Sequence, residues 1–86
     1  MSEHVLHVDR AQHVRDYLLD ITFDDGTRKT VDVEPLLKGE MFEPLRDTGQ
    51  FTKLTIDPIS KTIVWPNGAD LAPEALYELP AVDQVA

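Results

Sequence analysis

A chain of 86 residues is long enough for a single modest core and too short for a second domain. Sixteen acidic residues against eight basic ones give a formal net charge of -8, with the acids spread from Glu3 to Asp83. Direct nucleic-acid binding needs clustered Lys and Arg that this pattern lacks, so the partner it suits is a small basic protein. Without cysteine there is no disulfide framework or zinc-thiolate site, and no window reaches the length of a membrane span, so a cytoplasmic protein with no membrane contact is expected.

Val5 to Val8, apolar apart from His7, predicts a first strand, and the polar run Asp9 to Arg15 predicts a connection. Tyr17, Leu19, Ile21 and Phe23 share one face at period two, with Asp20 and Thr22 opposite, the pattern of a half-buried strand. Asp24-Asp25-Gly26 is a hairpin signal, glycine supplying the positive φ of a tight turn or bulge. The chain then returns as Arg28 to Val33, with Val31 and Val33 toward the core and Thr30 and Asp32 facing out.

Pro35, beside the acids Asp32 and Glu34, suits the first turn of a helix whose apolar side is Leu36 and Leu37. Gly39 stops it, and Met41, Phe42 and Leu45 form another apolar patch around Pro44, so two short helical turns are predicted, closed by Thr48-Gly49. Phe51 to Asp57 alternates again as a strand, Asp57 to Lys61 turns, and Thr62 to Trp65 returns until Pro66 ends the pairing. A last short helix starts at Pro73, with Ala75, Leu76 and Leu79 apolar, and stops at Pro80. The expectation is one α+β domain over residues 1–86, with an ordered core of about 4–79 and a flexible tail at 80–86. Its architecture is a small antiparallel sheet of two hairpins plus an N-terminal strand, covered by short helices.

Catalytic and metal chemistry finds little support. Three histidines, His4, His7 and His13, invite a metal reading, but His4 and His7 stand three apart, on opposite faces of a strand, and cannot chelate one ion together unless the strand is broken, so surface or half-buried histidines are expected. The carboxylate pairs Asp24 with Asp25 and Asp32 with Glu34 fall at a turn tip and a helix start, where acids act as turn and capping groups. Neither Ser2 nor Ser60 has the setting of an activated nucleophile, and the four glycines are isolated, so no phosphate-cradling loop exists. The reading is a protein that is not an enzyme and takes no metal or cofactor.

The stretch Val64-Trp65-Pro66-Asn67-Gly68-Ala69-Asp70-Leu71-Ala72-Pro73-Glu74-Ala75-Leu76-Tyr77 stands apart. Asn67-Gly68 is a turn dipeptide, Asp70 can hold nearby backbone N–H groups, and Trp65 continues the alternation of Ile63, which places it under the last helix against Leu71 or Leu76. The contrasting expectation is that Trp65, Asn67, Asp70 and Tyr77 converge as a partner- or ligand-binding site.

That stretch, with Asp20-x-x-Phe23-x-Asp25-Gly26, Val31-Asp32-Val33-x-Pro35-Leu36-Leu37 and Phe42-x-Pro44-Leu45-x-Asp47, resembles the bacterial domain-of-unknown-function family 2442 from about Val8 to Tyr77. The resemblance implies a small α+β fold like the N-terminal domain of longer relatives that carry a helix-turn-helix domain behind it. This sequence stops at Ala86, before any such domain, so no DNA contact is implied. It also implies a genomic neighbour from another small family, numbered 4160, the pair resembling a toxin-antitoxin module.

The leading expectation is therefore a non-enzymatic protein-interaction module, the antitoxin-like half of a two-protein pair. The runner-up is a small-ligand-binding or catalytic domain using the Trp65 to Tyr77 loop. A third expectation is a homo-oligomer formed through an edge strand.

Overall fold

The computed structural model describes residues 5–82. Strands β1 (Val8–Arg15), β2 (Leu18–Phe23) and β3 (Arg28–Asp32) form an antiparallel sheet in that order. Leu19, Ile21 and Phe23 lie on its inner face, fully buried, as the period-two pattern of β2 requires. Hairpin β2–β3 closes as expected: Phe23 N–H donates to Thr27 O, Gly26 N–H donates to Phe23 O, and Gly26 takes φ 92°.

The first strand differs from the expectation. Val8 alone of the segment Val5 to Val8 is in β1, and the supposed connection Asp9 to Arg15 is the strand itself. A register irregularity between Val8 and Arg10 shifts the alternation, so the inward side chains step from Val8 to Ala11 before resuming period two at His13, and a second irregularity follows between His13 and Arg15. Thr30, expected to face solvent, is buried, because the chain returns past Pro80: Ala81 bridges Val31 and Val82 N–H donates to Thr30 O at 2.8 Å. Ala81 and Val82 thus belong to the part expected to be a flexible tail, of which residues 83–86 lie outside the described chain, as does His4.

Between the sheets run two 3₁₀ turns, Glu34–Leu36 and Glu43–Arg46, each with proline in its first turn, and the one-turn helix α1 (Thr48–Phe51). Thr48-Gly49 thus begins a helix where a close was expected. Asp47 is the reason: its side chain accepts from Gly49 N–H at 3.0 Å and supplies the N-cap. Phe51 is accordingly helical and fully buried, and the following strand shrinks to β4 (Thr55–Ile56).

β4, β5 (Ile63–Val64) and β6 (Asp70–Leu71) make a second antiparallel sheet, followed by α2 (Pro73–Tyr77). The predicted hairpin β4–β5 is present, whereas β6 was not foreseen, and two three-stranded sheets replace the single expected sheet while the α+β class stands. A shared core holds them together: Leu19, Ile21 and Val31 of the first sheet belong to the same buried cluster as Phe51, Ile63 and Leu76. At one end Val8 N–H donates to Lys61 O across the two sheets.

β5 and β6 are joined by the turn Trp65-Pro66-Asn67-Gly68-Ala69, which repeats the plan of the Phe23 to Thr27 turn. Trp65 N–H donates to Ala69 O, Gly68 N–H donates to Trp65 O, and Gly68 takes φ 93°. In each turn the residue before glycine holds a backbone N–H with its side-chain oxygen: Asp25 that of Thr27 at 2.8 Å, Asn67 that of Ala69 at 3.0 Å. The positive φ explains why glycine occupies both fourth positions.

Candidate functional site

The four loop residues do not share one set of contacts. Trp65 is buried at 2% exposure, its indole N–H donates to Phe51 O at 2.8 Å, and its ring neighbours are Phe42 and Phe51, with centroids at 6.4 and 5.7 Å. The tryptophan is core, as expected, in the same buried cluster as Leu71 and Leu76, and its aromatic neighbours come from the segment before β4. Asn67 is exposed, and its amide is engaged at both ends, Nδ2 donating to Met41 O at 2.9 Å and Oδ1 accepting from Ala69 N–H. Asp70 is an exposed residue of β6 opposite Val64.

Tyr77 faces the β2–β3 hairpin instead. Its hydroxyl donates to Asp25 Oδ2 at 2.9 Å and lies 3.3 Å from Thr27 Oγ1, and its ring meets Phe23 edge to face at 4.9 Å. Lys29 crosses beneath it, its ammonium 5.3 Å from the ring centroid and donating to Tyr77 O and to Leu79 O at the end of α2. The Thr27 N–H, and after it the Tyr77 hydroxyl, hold the Asp25 carboxyl below the usual range against partial desolvation. The network braces α2 against the first sheet.

The other groups weighed from sequence are also tied into the fold. His7 N–H donates to Asp24 Oδ1, its Nδ1 lies 3.1 Å from Asp24 Oδ2, and Asp24 N–H donates back to His7 O. His13 Nε2 bonds Asp16 O at 2.8 Å, and its ring packs on Phe51. Asp32 accepts from Glu34 N–H, the capping role expected of it. Among the described residues no group of three or more His, Asp and Glu gathers as a metal would need, and no helix is long and apolar enough to cross a membrane.

A concave site lies elsewhere, on the outer face of the first sheet. A hollow of about 360 Å³ is lined by Arg10, Ala11 and Gln12 of β1, Asp20 and Thr22 of β2, and Arg28 of β3. The register explains the grouping: Arg10 pairs Thr22 and Thr22 pairs Arg28 in one cross-strand row, while Gln12 pairs Asp20 in the next. Arg28 grips Asp20 with two bonds, Nε–H to Oδ1 at 3.2 Å and Nη2–H to Oδ2 at 2.8 Å. That grip holds the Asp20 carboxyl below the usual carboxylate range, the charges of Arg28 and Arg10 adding to it and partial burial opposing. The side chains of Arg10, Gln12 and Thr22 make no hydrogen bond among the described residues.

Sequence reasoning missed this site because it read Asp9 to Arg15 as a connection. Once Arg10-x-Gln12 is set as a strand beside Asp20-x-Thr22, the polar row becomes visible from residue types alone.

A family model described as "Protein of unknown function (DUF2442)" matches residues 8–79. A search among curated proteins and another among solved structures found no match. The match takes in both sheets, both turns of the repeated plan and the whole lining of the hollow, and with nearly the full described chain under it, this protein belongs to the DUF2442 family.

Proposed function

We propose that the domain is a non-enzymatic protein-interaction module, the antitoxin-like half of a two-protein pair, whose contact surface is the outer face of sheet β1–β2–β3. The observation that carries this reading is the hollow on that face, where the side chains of Arg10, Gln12 and Thr22 stand on a hydrogen-bonded sheet without hydrogen-bond partners of their own among the described residues. The paired strands fix the backbone that carries these groups, so only side-chain freedom remains to be lost on binding. The net charge of -8 supports a partner that is basic overall and drawn in by long-range attraction.

Small-ligand binding has weaker support. Ligand pockets are mostly apolar, whereas this hollow is lined almost wholly by polar residues, and the polar groups of Trp65, Asn67 and Tyr77 are engaged within the fold. Co-expression with the product of a neighbouring gene, followed by affinity purification and size-exclusion chromatography, should yield a stoichiometric complex whose association slows as salt is raised. Elution of the folded domain alone, with the neighbour folded and present, would count against the reading.

A further inference from the structure

The hollow is an exception in charge. The chain carries a net -8, yet the hollow gathers two of its eight basic residues, Arg10 and Arg28, around a single acid, Asp20. Within it the formal charges sum to one positive. Both arginines flank Thr22 in the same cross-strand row, which sets their Cβ atoms about 10 Å apart, a span that two side chains of this length can close around one small group. Arg28 uses Nε and Nη2 on Asp20, leaving Nη1 without an acceptor among the described residues, and Arg10 has no ion pair there. Thr22 and Gln12 add neutral donors from adjacent positions of the two rows.

We infer that this hollow receives one carboxylate side chain, an Asp or Glu on an extended segment of the partner protein, held between Arg10 and the free side of Arg28. The inference rests on the interaction reading above and deepens it by naming what the partner presents. A singly charged group matches the single excess positive charge, while a dianionic phosphate would crowd Asp20 with like charge and a polyanion would meet the acidic remainder of the surface. Planar guanidinium forks suit a planar carboxylate. Because Arg10 and the Arg28 side chain, at 71% exposure, are open to solvent, this anchor fixes register and excludes wrong partners more than it supplies affinity.

The test uses a phage-displayed random peptide library selected on the folded domain and, in parallel, on the double variant Arg10→Gln, Arg28→Gln, with the fold of each checked by circular dichroism and amide NMR spectra. Peptides won by the wild type should share one Asp or Glu position that selection on the variant loses. A synthetic winner should bind about two- to fivefold more tightly than its version with Gln or Asn at that position, and should shift the guanidinium signals of Arg10 and Arg28. Peptides that share no acidic position, or that bind both proteins equally, would overturn the carboxylate anchor while leaving the interaction reading to stand or fall on the co-expression result. Displacement of the winner by inorganic phosphate more readily than by acetate would also overturn it.

Discussion

Replacing Trp65 by phenylalanine isolates what the indole does. The ring lies at 2% exposure between Phe42 and Phe51, and its N–H supplies Phe51 O with a hydrogen bond at 2.8 Å. Losing that donor leaves a buried carbonyl unsatisfied, which costs about 1–3 kcal/mol. Losing the second ring opens a void larger than a methyl group, adding about 1 kcal/mol or more. The sum is about 3 kcal/mol, a large share of the roughly 4–13 kcal/mol expected for a domain of this size. Urea unfolding followed by far-ultraviolet circular dichroism is the assay, since the substitution removes the sole tryptophan. With a urea dependence of about 1–2 kcal/mol per molar for so small a domain, the midpoint should fall by about 2 M. A loss below about 0.5 kcal/mol would refute the reasoning that indole burial and its bond hold the two sheets together. In the wild type the same burial predicts blue-shifted tryptophan emission that acrylamide barely quenches.

The repeated turn gives a paired prediction. Gly26→Ala and Gly68→Ala, at φ 92° and 93°, should each cost about 1–2 kcal/mol although neither meets a backbone clash, whereas Gly49→Ala, inside α1 with no positive φ, should be neutral or stabilise by up to about 1 kcal/mol. Thermal melts of the three variants check the contrast. For pH, the Asp20 carboxyl is depressed in the folded state, so its contribution is present above the unfolded pKa and lost as pH falls through the folded one. Asp20→Asn should therefore flatten the acid limb of the stability curve, and by less than about 1 kcal/mol because the Arg28 side of the pair is open to solvent. Acid titrations of wild type and variant, read by circular dichroism, should converge at the lowest pH.

How much of this was legible depended on local rules. β2, β3 and the Gly26 hairpin could be read because alternation and turn chemistry agree there, and α2 because Pro73 marks its start. β1 was missed because its two irregularities shift the parity on which the reading relies. β6 was missed because two residues carry no period, although Asn67-Gly68 was itself a hairpin signal. The burial of Thr30 comes from Ala81 and Val82, some fifty residues away, and no local pattern reports that. The placement of Trp65 in the core with Leu71 and Leu76 was legible, but its aromatic neighbours were not, since Phe51 read as strand until Asp47 is seen to cap a helix. The hollow was hidden with β1, for its row of Arg10, Thr22 and Arg28 exists only in the tertiary register.

The second sheet is built from strands of two residues each, too short to persist by themselves. What secures them is an aromatic chain: Tyr17 before β2 meets Phe51 edge to face at 5.2 Å, and Phe51 meets Trp65 at the end of β5. The Tyr17 hydroxyl also donates to Arg46 O in the intervening turn. Neither half of the molecule can open without exposing the other's rings, so the domain should melt as one cooperative unit. Native-state hydrogen exchange would then show the amides of β2 and β5 opening with a common free energy.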